Sequence, residues 1–166
     1  MKSFYIIIRG PLGIGKSTIS KELAKKINAK IFHIDKILEE IKLDKVDKKL
    51  RGIPLENFLK VNKNIIPEIK KILDKGEVAI IDGCFYYEEQ LENIKHRLEN
   101  YDGFFFTLTA PLDTCIKRDS KRKLTYGEKA AKEVYDLVSK FDYGTAINTE
   151  NKTEKQVLEE LLKKII

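Results

Sequence analysis

The chain has 166 residues, 42% hydrophobic and 35% charged, with 32 basic against 26 acidic side chains and a formal net charge of +6. That length suits one domain with a substantial core, and no apolar run approaches the roughly 20 residues that a bilayer-spanning helix requires. A strand pattern follows directly on the N-terminus without a signal-peptide pattern, so a cytoplasmic protein with no membrane association and no obligate protein partner is expected. Cys84 and Cys115 lack metal-ligand spacing and read as reduced thiols in or near the core. The basic excess suits an anionic substrate, although most of it is lysine interleaved with glutamate, as on a solvated surface.

Apolar runs at about 4–8, 30–34, 78–82, 103–109 and 145–148 alternate with helical patterns, which predicts an α/β fold with a parallel sheet covered on both faces. The first run leads straight into Gly10-Pro11-Leu12-Gly13-Ile14-Gly15-Lys16-Ser17-Thr18, a complete G-x-x-x-x-G-K-[ST] phosphate-binding loop. Glycines 10, 13 and 15 allow successive backbone N–H groups to turn inward around a polyphosphate, and the helix opening near Lys16 adds its positive end. Lys16 then places a point charge on the β- and γ-phosphates, and the Ser17 hydroxyl suits Mg²⁺. Gly10, Gly13, Ile14, Gly15, Lys16, Ser17 and Thr18 are therefore the expected nucleotide-binding residues. The next helix carries Ile19, Leu23 and Ile27 on one face. At 166 residues the chain is too short for the added modules of a remodelling ATPase.

The second run ends at Asp35, at the sheet edge where open α/β sheets bind ligands. There a carboxylate either orients an attacking hydroxyl and accepts its proton or caps a helix over 36–43. Residues 36–77 begin rich in lysine, turn at Arg51-Gly52-Ile53-Pro54, and continue into a helix with Val61, Ile65, Ile69 and Ile72, which Pro67 should kink or restart. This segment reads as a subdomain on the substrate side.

The third run ends in Asp82-Gly83, either a Walker B carboxylate for Mg²⁺ or an ordinary Asp-Gly turn. Glycine after Asp82 leaves no carboxylate where a hydrolysing ATPase polarises water, which favours transfer to an acceptor. Phe85, Tyr86 and Tyr87 either stack on an aromatic or ribosyl acceptor or pack internally. Leu91, Ile94 and Leu98 mark a further helix, and Val134, Leu137, Val138 and Phe141 another.

After the fourth run, Pro111 opens a helix in which Arg118 and Arg122 lie four apart on one face; this basic stretch, about 111–126, reads as a lid or as a solvated surface. A Thr153-x-x-Gln156 capping box starts the last helix, with Val157, Leu158, Leu161, Leu162 and Ile165 along it. The capping box also accounts for Asn151-Lys152-Thr153-Glu154, a poor match to a guanine-reading motif. His33 and His96 are isolated and read as structural or surface residues.

The loop at 10–18, Asp35, Ile80-Ile81-Asp82-Gly83, and Thr109-Ala110-Pro111-Leu112-Asp113 running on to Arg118, Asp119 and Arg122 make the chain resemble the small P-loop kinases related to nucleoside monophosphate kinases. That group includes chloramphenicol phosphotransferase, zeta-toxin-like kinases, gluconate and shikimate kinases, and the kinase domain of polynucleotide kinase. The resemblance implies a five-stranded parallel sheet with a helical lid, ATP and Mg²⁺, Lys16 and Ser17 at the phosphates, Asp35 as base, and lid arginines Arg118 and Arg122. It further implies that 36–77 and the loop after Asp82 choose the acceptor; Arg51 is the candidate contact for an anionic acceptor group, and Tyr86 a candidate contact for an aromatic or ribosyl one. The expected activity is phosphoryl transfer from ATP to a hydroxyl of a small molecule, a nucleoside-like compound or a nucleic-acid 5′ end. A nucleoside monophosphate kinase and a nucleotide-dependent switch are the alternatives.

Overall fold

A strand buried on both faces needs a layer of helices on each side, and Phe4–Arg9 (β1) is such a strand: every residue after Phe4 is buried. Its side chains divide by parity, Tyr5 and Ile7 into one hydrophobic cluster and Ile6 and Ile8 into the other. Each isoleucine so buried contributes about 2 kcal/mol. The computed structural model describes residues 3–165.

β1 lies at the centre of a five-stranded sheet with Ala29–His33 (β2), Val78–Gly83 (β3), Asp102–Thr109 (β4) and Thr145–Asn148 (β5), in the order β2-β3-β1-β4-β5. All four pairings are parallel. The helices Lys16–Ile27 (α1) and Glu154–Ile165 (α7) contribute to one cluster with Ile6, Ile8 and Ile80. Leu55–Asp74 (α3) and Glu88–Arg97 (α4) contribute to the other with Tyr5, Ile7 and Ile81. Ile34–Glu40 (α2), Leu112–Ser120 (α5) and Glu128–Val138 (α6) stand near the C-terminal ends of the strands, where the ligand crevice of such a sheet lies.

Pro67 does not restart the helix that holds it: α3 runs 20 residues through it. A mid-helix proline costs roughly 3 kcal/mol in isolation. Here Val61, Ile65 and Ile66 before it, and Ile69, Ile72 and Leu73 after it, are all buried and hold the two halves in register. The predicted capping box is present, with the Thr153 N–H donating to Gln156 Oε1 at 2.8 Å and the Gln156 N–H to Thr153 Oγ1 at 3.3 Å. Among the described residues, no helix is long and apolar enough to cross a membrane.

Arg9, at the end of β1, is 1% exposed and fastens the site's surroundings together. Its guanidinium donates to Phe85 O at 3.0 Å, Thr107 Oγ1 at 3.2 Å and Val138 O at 2.6 Å, and lies 4.1 Å from the centre of the Phe141 ring. Burial lowers its pKa to about 10, so the group stays charged at neutral pH. It thereby joins the loop after β3, strand β4 and the C-terminal end of α6.

Candidate active site

Between β1 and α1 the chain turns through Gly13 at φ 77° and Gly15 at φ 100°, values that disfavour any side chain. Gly13 is constrained twice, because a Cβ there would fall 2.2 Å from the Cys115 carbonyl oxygen on α5. At Gly15 the space is open and only the backbone conformation requires glycine. Gly13→Ala is therefore expected to cost about 3 kcal/mol, from overpacking plus a left-handed residue, and Gly15→Ala about 1 kcal/mol. Urea denaturation measures both; equal losses would show that the contact with Cys115 does not hold the loop. Gly10 has a different duty from its neighbours. It does not line the cleft, and a Cβ on it would sit 3.0 Å from Leu108 O, so it is small to let β4 approach.

The N-cap of α1 is Gly15, without a side-chain cap, which leaves the first-turn N–H groups to an anion. The loop opens onto a cleft of about 520 Å³ bounded by residues 13–18 and, across it, Arg118, Arg122, Thr149 and Lys152. Ile14 is buried beneath it, whereas Ser17 and Thr18 are exposed within it. Lys16 is 8% exposed, its Nζ donating to Pro11 O at 2.8 Å.

The lid arginines reach this cleft by different routes. Arg118 lies in α5 and donates to Thr149 Oγ1 at 2.9 Å and to Thr149 O at 3.0 Å, which commits its guanidinium to the loop after β5. Arg122 lies beyond the end of α5, its Nη1 3.5 Å from Asp119 Oδ1. The two do not share one helical face, because the helix stops at Ser120. What brings them together is the cleft.

Beyond Lys16 a second cavity of about 300 Å³ is walled by Leu12, Val46, Ile53, Tyr86 and Val134. Asp35 is among its lining residues. β2 ends at His33, and Asp35 falls in the first turn of α2 rather than capping it, since the N-cap is His33. The Cys84 thiol donates to Asp35 Oδ2 at 3.5 Å. Burial raises the Asp35 pKa, opposed by the Lys16 ammonium and the thiol and reinforced by Asp82. Burial, and next the Asp35 charge, push the Cys84 thiol up to about 12, so it stays a neutral donor. Lys16 acts on both groups. Cys84, given no role in the sequence reading, is thus the contact through which the loop after β3 meets Asp35.

Asp82 is 3% exposed and lines neither cavity. The parallel register sets it opposite His33, whose Nδ1 lies 2.9 Å from each of its carboxylate oxygens. His33 is therefore not isolated. Sequence inspection missed the pair because it depends on β2 lying beside β3. Among the described residues no three His, Cys, Asp or Glu side chains gather as a metal cage. The Ser17 hydroxyl, exposed in the cleft, suits Mg²⁺, which takes few protein ligands and the rest from phosphates and water, whereas both Asp82 carboxylate oxygens face His33.

The flap over the second cavity is built locally. Asp47 Oδ1 accepts from the Lys49 and Leu50 N–H groups at 2.8 Å and 3.0 Å, and Asp47 bridges to Gly52. Arg51 has φ 54° and lines the cavity from this turn. Tyr86 is mainly a packing residue: its ring meets Phe58 edge-on at 5.2 Å and its hydroxyl accepts the Ile53 N–H at 2.6 Å, which docks the flap. From the loop between α5 and α6, the Tyr126 hydroxyl donates to Glu39 on α2, beside the same cavity.

The architecture has close counterparts. A family model described as an AAA domain matches residues 6–160. A shikimate kinase of Sulfurihydrogenibium sp. is 30% identical over 175 residues, covering 99% of this chain and 98% of that protein. A shikimate kinase of Persephonella marina is 28% identical over 172 residues, covering 99% of each. The structure of the Mycobacterium tuberculosis APS kinase in complex with AMPPNP and APS superposes with a TM-score of 0.75 over 99% of this chain and 98% of that one, at 12% identity. The chain belongs to this AAA-domain family of P-loop proteins, as a small ATP- and Mg²⁺-dependent kinase that phosphorylates a hydroxyl group.

Proposed function

We propose that the second cavity holds a small hydroxyl-bearing acceptor and that Asp35 is the base that activates it. The observation that carries this reading is the position of Asp35 between the two sites: it lines the second cavity and feels the Lys16 charge of the first. In this reading the acceptor O–H gives its proton to Asp35 as the new O–P bond forms and the bond to the ADP oxygen breaks. Lys16 and the backbone of residues 13–18 hold the phosphates, and Ser17 and Asp82 are the residues that would hold Mg²⁺, which would neutralise part of the phosphate charge. Arg118 fixes the wall of the ATP cleft through Thr149, and Arg122 faces the phosphates. Residues 36–77 form the acceptor side of one kinase domain and about 111–126 its lid, with Arg51 and Tyr86 contacting the acceptor. A protein using cellular ATP in this way belongs in the cytoplasm.

A nucleoside monophosphate or a nucleic-acid 5′ end fits the second cavity less well. Such acceptors bring phosphates that need several cations, and Arg51 is the one basic side chain in the lining. ADP release from Mg-ATP, corrected with the Lys16→Ala variant, tests the reading across pooled hydroxylated small molecules, nucleoside monophosphates and 5′-hydroxyl oligonucleotides. Stimulation by the small-molecule pool is expected. Stimulation confined to monophosphates would remove Asp35 from the base role, and stimulation confined to oligonucleotides would move acceptor binding outside this cavity.

A further inference from the structure

The lining of the second cavity constrains the acceptor further. Three carboxylates besides Asp35 border it, Glu39, Asp44 and Glu133, against the single guanidinium of Arg51. Most of the remaining wall is aliphatic or aromatic, from Leu12, Val46, Ile53, Tyr86 and Val134. From these facts, and resting on the reading of this cavity as the acceptor site, we infer that the acceptor is a hydroxylated amine: an apolar frame that bears the reacting hydroxyl and a protonated nitrogen.

The lining disfavours the opposite sign. A carboxylate or phosphate in this cavity of about 300 Å³ would meet like charge from three sides, through solvent at the exposed Glu39 and Asp44 and more directly at the less exposed Glu133. An ammonium meets complementary charge there. Glu133 supplies the clearest partner: it projects from α6, is half-buried, and among the described residues makes no hydrogen bond or ion pair. Its neighbour Lys132 is already paired with Glu128 at 2.9 Å. A carboxylate with no partner of its own is free to take a charge-assisted hydrogen bond from a bound ammonium. Glu39 is held at the same cavity by the Tyr126 hydroxyl, and Asp44 lies on the flap side. The carboxylates thus border the cavity from α2, the flap and α6, whereas Asp35 remains at the end nearest Lys16 to take the hydroxyl proton.

The test compares three matched sets of hydroxylated compounds: amines, their N-acetylated neutral forms, and carboxylates of the same frame. Acceptor-dependent ADP release above the Lys16→Ala blank should favour the amines over the N-acetylated forms by tenfold or more in kcat/KM. Glu133→Gln should reduce that preference about tenfold, as expected for loss of a charge-assisted hydrogen bond, chiefly through the KM of the amine. Preference for carboxylates or neutral forms, no turnover of any amine, or an amine preference unchanged in both Glu133→Gln and Asp44→Asn would overturn the inference. Ala130→Trp, which fills the cavity, separates this inference from its premise. Loss of turnover for every acceptor with ATP binding retained supports the cavity as the acceptor site whatever charge it prefers, and undiminished turnover removes both readings.

Discussion

Asp35→Asn is expected to lower kcat by roughly 10²–10⁴-fold with any acceptor, and to leave the KM for ATP within a few-fold of its original value. Asparagine keeps the shape and still accepts from the Cys84 thiol but cannot take a proton, so a loss of this size isolates base chemistry from packing. Near-normal turnover would remove Asp35 from the mechanism. The pH dependence follows from burial, which raises the Asp35 pKa above the usual carboxylate range. The base must be ionised to act, so kcat/KM should fall, as pH is lowered, at a higher pH than an ordinary aspartate would give. Stability carries the same signature with the opposite sense. A folded-state pKa raised above the unfolded one means that folding takes up a proton between those two values, so stability falls as pH rises through that window. Asp35→Asn should therefore be more stable than the parent above the window, with the gap closing below it; thermal melts across pH measure this. A variant that is inactive yet no less stable is the behaviour of a residue kept for chemistry at a cost to the fold.

The strands were legible because each is an apolar run flanked by polar residues, glycine or proline, and the phosphate loop because its glycines and lysine stand at fixed spacing in one segment. Relations between segments were not. His33 faces Asp82 only because β3 lies between β1 and β2 in the sheet, and chain order does not encode that. Cys84 looked inert because its significance is its contact with Asp35, 49 positions away in sequence. Arg118 and Arg122 were assigned to one helical face on the assumption that the helix continues, whereas α5 stops at Ser120. Pro67 failed as a breaker for the complementary reason: buried side chains on either side of it outweigh a local preference. The second cavity was the least legible feature. Its lining comes from the phosphate loop, α2, the flap, the loop after β3 and α6, and no single stretch of sequence carries its negative charge.

Lys16→Ala is the other large expected effect, a loss of roughly 10³-fold in kcat/KM for ATP, as for removal of a preorganised charge from a developing phosphoryl oxyanion. Arginine should not restore it, because Lys16 is buried with its Nζ on Pro11 O, and a planar guanidinium has neither the room nor the point charge the site requires. The more telling consequence falls on the neighbouring site. Lys16 is the first of the influences that hold the Asp35 pKa down against burial. Removing it leaves burial and Asp82 less opposed, so the residual activity of Lys16→Ala should lose its acid limb at a higher pH than the parent enzyme. Single-turnover rates across pH measure this directly, and superimposable limbs would show that the lysine charge is not felt at the base. With the shift present, the losses from Asp35→Asn and Lys16→Ala should not add, because the base has already been weakened when the lysine is gone. The two cavities would then be coupled electrostatically through two side chains, one at the phosphates and one at the acceptor, with the Cys84 thiol between them.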